Sequence, residues 1–273
     1  MSTTNEARLK IASDQVSIDT VRSMPKSVSQ VGFWSAVLAT LFSIGYGIAV
    51  IVTMISTMMA TAIDTPPGWH GIDSFVASFQ PIQMLSLIPS LLLAPTFVVL
   101  MVSLHYYASL DKKIWSQLGI AFALIYAVMA SINYILQLTV VRLSIVNKET
   151  DGLAMFVMGN PHSIFWALAS AYIFMNLAML FVAPVFYGGR LERWIRWLFI
   201  ANGASVVVTI FGVGVDSPAI YLLVSLVPWC IIFSLATALV AMLFRRIDST
   251  ADRQWLEHVY SVHVSTLERR NQL

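Results

Sequence analysis

Six long apolar stretches constrain the fold of this sequence more than any other feature. A helix needs about 20 predominantly apolar residues to cross the ~30 Å hydrocarbon core of a bilayer. Backbone groups without hydrogen-bond partners are very costly in lipid, so stretches of this length are typical of transmembrane helices. The sequence therefore predicts an all-α, polytopic bundle of six transmembrane helices at residues 33–59, 82–108, 114–145, 164–187, 194–215 and 219–244.

The composition agrees with a chain that lies in lipid. Of the 273 residues, 58% are hydrophobic and only 11% are charged, whereas an ordinary soluble domain carries about 25% charged residues. We therefore expect the lipid bilayer to be the principal partner. The net charge is only +2, and lipid headgroups account for the basic residues, so we expect no nucleic-acid partner.

The basic residues lie almost entirely on one side of the predicted spans. All but Arg142 and Lys148 of the 16 Lys and Arg residues fall in the N-terminal arm, in or beside the second and fourth connections, or in the C-terminal tail. Cytoplasmic segments of membrane proteins carry such an excess. We expect a multi-pass plasma-membrane protein with both termini cytoplasmic (N-in/C-in), divided into a cytoplasmic arm at 1–32, a membrane domain at 33–246 and a cytoplasmic amphipathic tail at 247–273.

Polar residues near the outer ends of spans three and four form the main candidate site. Asn133 and Gln137 stand four residues apart in span three, and therefore share one face of a helix. Tyr172 in span four and His162 at its outer end complete a set of hydrogen-bonding groups at similar depth. The sequence predicts an outward-facing polar pocket that binds a small-molecule ligand. Ordinary hydrogen bonds between helices are the alternative interpretation of the same residues.

A second polar pair lies deeper. Asn176 in span four and Asn202 in span five fall at similar heights when counted from the turn that joins their spans, at about 1.5 Å per residue. An amide in lipid needs a partner. We therefore expect these two side chains to hold the two spans together, which is a structural role.

The residue types needed for catalysis or metal binding are sparse. The best available grouping is His70 and His162 with Asp73 or Asp151 in the outer loops, and it lacks the spacing of known metal motifs. The single cysteine, Cys230, excludes an intrachain disulfide. We expect no catalytic residue, no metal site and no cofactor.

The leading functional hypothesis is therefore a non-enzymatic small-molecule-binding or accessory membrane protein. A channel or carrier for a small solute is one alternative, although no acid or base lies at mid-membrane, where proton-coupled transporters place them. A membrane-embedded lipid-modifying enzyme is the other. The tail is compatible with lying along the inner leaflet or with self-association, and the small residues of span one, which are Ala39, Ser43 and Gly47, would also permit self-association because they allow close helix approach.

The order of these elements resembles a family of uncharacterised bacterial six-helix integral membrane proteins, defined by a domain of unknown function. The resemblance covers spans one to five. It rests on the long outer loop after span one and on three short motifs: Pro161-His162-Ser163, Gly188-Gly189-Arg190-Leu191 and Ala201-Asn202-Gly203. It implies the six-helix architecture and carries no catalytic residues.

Overall fold

The structure is a computed structural model that describes residues 24–60, 69–211 and 227–249. This part of the chain is helical and contains no β-strand. The α-helices are α1 (Lys26–Ala60), α2 (Ile72–Ser78), α3 (Leu87–Tyr107), α4 (Lys113–Leu136), α5 (Arg142–Asn147), α6 (Ile164–Ala169), α7 (Ala171–Val182), α8 (Arg190–Phe211) and α9 (residues 233–249). Two π-helical turns interrupt this order: Gln137–Val141 joins α4 to α5, and Val227–Ile232 leads into α9.

Five helical segments are long and apolar enough to cross a membrane: Lys26–Thr53, Pro81–Tyr107, Leu110–Asn147, Ile164–Val185 and Trp229–Ser249. Fewer than half of the residues in the apolar window of each segment are buried inside the protein. Large apolar side chains therefore face outward, as on α1, where Trp34 is 61% and Ile48 is 59% exposed. Soluble proteins rarely expose such continuous apolar surface, so these five helices are consistent with a membrane protein.

The predicted span at 194–215 overlaps α8, which is not among these five segments. The first two turns of α8 are polar, with Arg190, Glu192, Arg193 and Arg196. Residues 212–226, which include the end of this predicted span and the start of the next, lie outside the described residues. Residues 250–273 of the predicted tail at 247–273, and residues 1–23 of the predicted arm at 1–32, also lie outside them. Helix α1 begins at Lys26, ahead of the apolar run that starts at residue 33. Its first turns are mostly polar and lie before the predicted span.

The long helices pack in a ring. Helix α1 packs on α3, α3 on α4, α4 on α7, and α7 on α8. The π turn Val227–Ile232 contacts both α8 and α1, so it closes the ring. The core consists of the inward-facing side chains, among them Phe97, Tyr126, Met179 and Phe199.

Helices α1 and α9 run antiparallel and are joined by pairs of small polar side chains. Thr40 and Thr237 share a hydrogen bond of 2.8 Å between their Oγ1 atoms. One turn further along, the Ser234 hydroxyl donates to Ser43 Oγ at 2.9 Å. The Ser29 hydroxyl donates to Asp248 Oδ1 at 3.1 Å at the far end. Two of the three small residues of span one thus contact the same chain: Ser43 bonds to Ser234 of α9, and Gly47 lies against Cys230 of the π turn before α9.

These contacts give the bundle two distinct ends. At one end, the start of α1 meets the end of α9, and Tyr107 at the end of α3 meets Glu192 near the start of α8. We call this the basic end, because it carries the basic residues Lys112, Lys113, Arg190, Arg193, Arg245 and Arg246. At the other end, the segment 148–163 lies between α5 and α6. We call this segment the cap segment and the end it occupies the cap end.

Candidate functional site

Asn133 lies in α4, and Gln137 lies in the π turn that continues it. The two residues share one helix face, as their spacing predicts. Both side chains are buried, each with 1% of its surface exposed. The helix changes at this point from α to π, and Gln137 is the first residue of the π turn. Turns of this kind are rare and are found frequently at functional sites.

Each of these two amides donates a hydrogen bond to a backbone carbonyl on the neighbouring chain segment. Asn133 Nδ2 donates to Phe165 O at 3.2 Å, and Gln137 Nε2 donates to Phe156 O at 2.6 Å. A flipped amide would place oxygen against oxygen, so these bonds fix the orientation of both side chains. The amide oxygens, Asn133 Oδ1 and Gln137 Oε1, are buried and have no hydrogen-bond partner.

A third unpartnered oxygen belongs to Ser163, which lies between Phe156 and Phe165 along the chain. Ser163 is buried, and its Oγ atom has no hydrogen-bond partner. Its backbone N–H donates to Asn160 O at 3.1 Å, and its side chain does not cap α6. The amide hydrogen bonds join two chain segments. Asn133 and Gln137 lie on one of them, and Ser163 lies on the other. We call these three residues the amide site.

The cap segment is held in shape mainly by Asn160. Asn160 Nδ2 donates to Ala154 O at 2.8 Å, and its Oδ1 accepts the backbone N–H of His162 at 3.0 Å. Leu153 and Val157 are buried against the bundle. The apolar run of the cap segment therefore packs inward as a short 3-10 turn and loop, which places the carbonyl of Phe156 within reach of Gln137.

Part of the segment between α1 and α3 covers the cap segment. Phe75 of α2 and Trp69 pack against Gly159, where an added Cβ would lie 2.7 Å from Phe75 Cδ2 and 3.5 Å from Trp69 Cζ3. A residue larger than glycine would push these rings away. The sequence marks this contact only by a glycine in a polar run, so the pairing of the two outer segments could not be predicted.

Tyr172 lies deeper, at the axis of the ring. Its hydroxyl shares a hydrogen bond with the hydroxyl of Tyr134 on α4. It also lines a small cavity together with Tyr46, Trp229 and the serines Ser43 and Ser90. The cavity has room for about one water molecule. Trp229 belongs to the second π turn, which therefore borders this cavity.

His162, the fourth predicted ligand-binding residue, is exposed on the cap segment. Asn133 and Gln137 are fully enclosed, and Tyr172 is partly buried at the bundle axis. The four residues thus range from the outer surface of the protein to its centre. Sequence reasoning overlooked Ser163, although its position directly before α6 marked it as a polar residue entering the bundle.

The asparagine pair joins α7 to α8. Asn202 Nδ2 donates to Asn176 Oδ1 at 3.0 Å, and both side chains are completely buried. The same Nδ2 atom lies 3.0 Å from Met179 Sδ. Close approach of the helices is possible because the next residue is Gly203, where a Cβ would lie 2.6 Å from Leu180 Cβ. Asn176 Nδ2 and Asn202 Oδ1 have no hydrogen-bond partner.

Glu192 is the buried acid of the basic end. Its carboxylate accepts a hydrogen bond from the Tyr107 hydroxyl at 2.6 Å and another from the backbone N–H of Gly188. The second bond caps the start of α8, because a Glu in the first turn of a helix reaches back to free N–H groups. The burial of Glu192 was not visible in the sequence, because it depends on Tyr107 of another helix.

Among the described residues, the structure does not gather the histidines and acids of the segments at the cap end into one cluster. His70, Asp73, Asp151 and His162 all lie within the described ranges, and no group of three or more His, Cys, Asp and Glu residues there could hold a metal ion.

No family model, no curated protein and no solved structure matches this chain. The resemblance to six-helix membrane proteins therefore stays a prediction from the sequence. The function has to be argued from the amide site and its surroundings.

Proposed function

We propose that this chain is a six-span plasma-membrane protein, with both termini cytoplasmic, that binds a small molecule at the amide site without transforming it. The observation that carries the proposal is the set of three buried oxygens without donors at Asn133, Gln137 and Ser163. An unsatisfied buried polar group costs about 1–3 kcal/mol. A ligand that supplies hydrogen-bond donors would recover this free energy on binding.

The orientation is supported by the distribution of charge over the two ends. The antiparallel contact of α1 with α9 brings Ser29 and Asp248 together at the basic end. An excess of Lys and Arg favours the cytoplasmic side of a membrane. The cap segment, and with it the amide site, would then face the outside of the cell.

Binding is favoured over transport because the axis of the ring is filled on the basic side of the small cavity. Phe97 packs there against Tyr126 and Phe233, with ring centroids 5.6 and 5.9 Å apart. Leu100 and Leu104 follow on α3 toward the basic end, and both are fully buried. A channel would need a polar path through this region.

A ligand screen on the purified full-length protein tests the proposal. We expect at least one small polar compound to raise the melting temperature in a concentration-dependent way. The variants Asn133→Ala and Gln137→Ala should each weaken its binding by roughly 10-fold or more, since each removes a buried hydrogen-bond acceptor.

Thr139→Ala is the matched control, because Thr139 lies in the same π turn but is exposed and bonds to Ile135 O of its own helix at 2.6 Å. It should leave ligand affinity unchanged. If the alanine variants at Asn133 and Gln137 only lower the melting temperature and bind every ligand normally, the two amides are structural and the proposal is wrong.

A further inference from the structure

The first turns of α8 present a basic and aromatic surface to the outside of the bundle. Four exposed residues that are spaced by three and four positions lie on one side of the helix: Arg190, Arg193, Trp194 and Trp197. Trp194 is 58% and Trp197 is 61% exposed. The opposite side of the helix enters the core, where Ile195 is completely buried. We call the four exposed residues the α8 face.

The described part of the chain does not neutralise the charge of the α8 face. Three acids are described at the basic end, and each has a partner elsewhere. Asp111 pairs with a lysine at 3.5 Å, Asp248 accepts a hydrogen bond from a serine, and the buried Glu192 accepts one from a tyrosine. No described residue forms a hydrogen bond or an ion pair with the guanidinium group of Arg190 or Arg193. An anion from outside the protein therefore complements this face.

The order of side chains along α8 matches the layers of a membrane surface. The arginines belong to the start of the helix, and each tryptophan follows an arginine by four residues, about 6 Å further along the axis. Guanidinium groups bind phosphate oxygens strongly, and indole rings settle at the boundary between headgroups and acyl chains. The same side of α8 continues with the exposed residues Ala201 and Ala204, whose small side chains leave room for acyl chains.

We propose that the α8 face binds an anionic phospholipid of the leaflet at the basic end. Its two arginines bind the phosphate, and its two tryptophans pack against the ester groups and the first carbons of the acyl chains. A headgroup with net negative charge is favoured, because the quaternary ammonium of phosphatidylcholine would offset the attraction between its phosphate and the arginines. This inference goes beyond the proposed function and does not depend on the amide site, which lies toward the other end of the bundle.

The tryptophans of the α8 face provide the readout. The full-length protein is placed in bilayer discs of phosphatidylcholine that contain increasing mole fractions of brominated phosphatidylglycerol, which quenches the fluorescence of indole rings in contact with it. We expect quenching at a lower mole fraction than with brominated phosphatidylcholine. This selective quenching should disappear in the double variant Trp194→Phe, Trp197→Phe. It should persist in Trp34→Phe, since Trp34 is 61% exposed on α1, away from the α8 face.

Single arginine variants test the recognition of the headgroup. Arg190→Gln and Arg193→Gln should each raise the mole fraction of phosphatidylglycerol that gives half-maximal quenching by about fivefold, the contribution expected of one arginine at an anionic surface. Both side chains are exposed, so the melting temperature should stay at the wild-type value. Arg245→Gln on α9 is the matched control, because it removes the same charge from an exposed position at the same end of the bundle. It should leave phosphatidylglycerol binding within about twofold of the wild type.

Three outcomes would overturn the inference. An effect of Arg245→Gln as large as that of Arg190→Gln would show diffuse attraction of the whole basic end to an anionic surface, without a lipid site on α8. Equal quenching by the two brominated lipids would show ordinary contact with the bilayer. Loss of the selective quenching on addition of inorganic phosphate, at matched ionic strength, would identify free phosphate as the ligand. None of these results bears on the amide site, which the ligand screen tests separately.

Discussion

At the residue scale, the two pairs of buried amides differ in how far the sequence predicted their contacts. Sequence spacing predicted that Asn133 and Gln137 share a face and that Asn176 and Asn202 lie at one height. It could not predict the hydrogen-bond partners of the first pair, because Phe156 O and Phe165 O reach α4 only through the fold of the cap segment. Helical periodicity positions residues within one helix, whereas partners across a loop depend on the packing of that loop.

The asparagine pair predicts a measurable coupling free energy. Asn202→Leu leaves the Asn176 amide buried without its partner, so we expect it to lower the free energy of unfolding by about 1–3 kcal/mol. Adding Asn176→Leu should recover part of this loss, because no amide then remains buried. The measurement is reversible unfolding in mixed micelles, read as a double-mutant cycle.

Gly203 must stay unchanged in these variants, since its close contact with Leu180 sets the distance between the helices. Strictly additive effects of the two leucine substitutions would show that the hydrogen bond between Asn176 and Asn202 contributes nothing to stability.

At the scale of elements, hydropathy predicted where the helices lie but not where they break or where their hydrogen-bond pattern changes from α to 3-10 or π. The run 164–187 reads as one span, yet the helix breaks between α6 and α7 at Ser170 and ends in a 3-10 turn at Pro184. Pro184 was recognisable as a site of bending because proline lacks a backbone N–H. The π turn at Gln137 has no such signal, since its sequence, Gln-Leu-Thr-Val-Val, reads as ordinary helix.

The pairing of α1 with α9 predicts a specific cross-link. The Oγ1 atoms of Thr40 and Thr237 lie 2.8 Å apart, so cysteines at these positions should form a disulfide on mild oxidation in a Cys230→Ala background. The readout is the loss of maleimide labelling under denaturing conditions and its recovery with a reductant.

The control for this cross-link is Leu38→Cys combined with Thr237→Cys, because Leu38 is 40% exposed and faces away from α9. Efficient cross-linking of the control pair, or none between positions 40 and 237, would contradict the antiparallel register.

At the scale of the whole molecule, the positions of the basic residues and the pairing of the helices together predict the orientation of the chain in the membrane, with the basic end cytoplasmic. We expect a cysteine that replaces Asp111, which is 69% exposed at the basic end, to react with a membrane-impermeant maleimide only after the cells are permeabilised. A cysteine that replaces Glu149, which is exposed on the cap segment, should react in intact cells. Both variants again use the Cys230→Ala background, so that the substituted cysteine is the only thiol.

The reverse labelling pattern would place the basic end outside the cell. The amide site would then face the cytoplasm, and its ligand would have to be a cytoplasmic solute. Reaction of both cysteines in intact cells would show that the described helices do not form a barrier between the two ends.

The ring of helices also has a consequence for biosynthesis. The interhelical hydrogen bonds of Thr40 and Ser43 on α1 are made with α9 and the turn before it, while Thr40 also donates to Ala36 O of its own helix. During translation α1 enters the bilayer early, and about 200 residues are made before α9 follows it, on the order of 10–40 seconds later at typical elongation rates. Throughout that interval Thr40 and Ser43 lack these interhelical partners, so we expect the incomplete chain to be exposed to intramembrane chaperones and quality-control proteases.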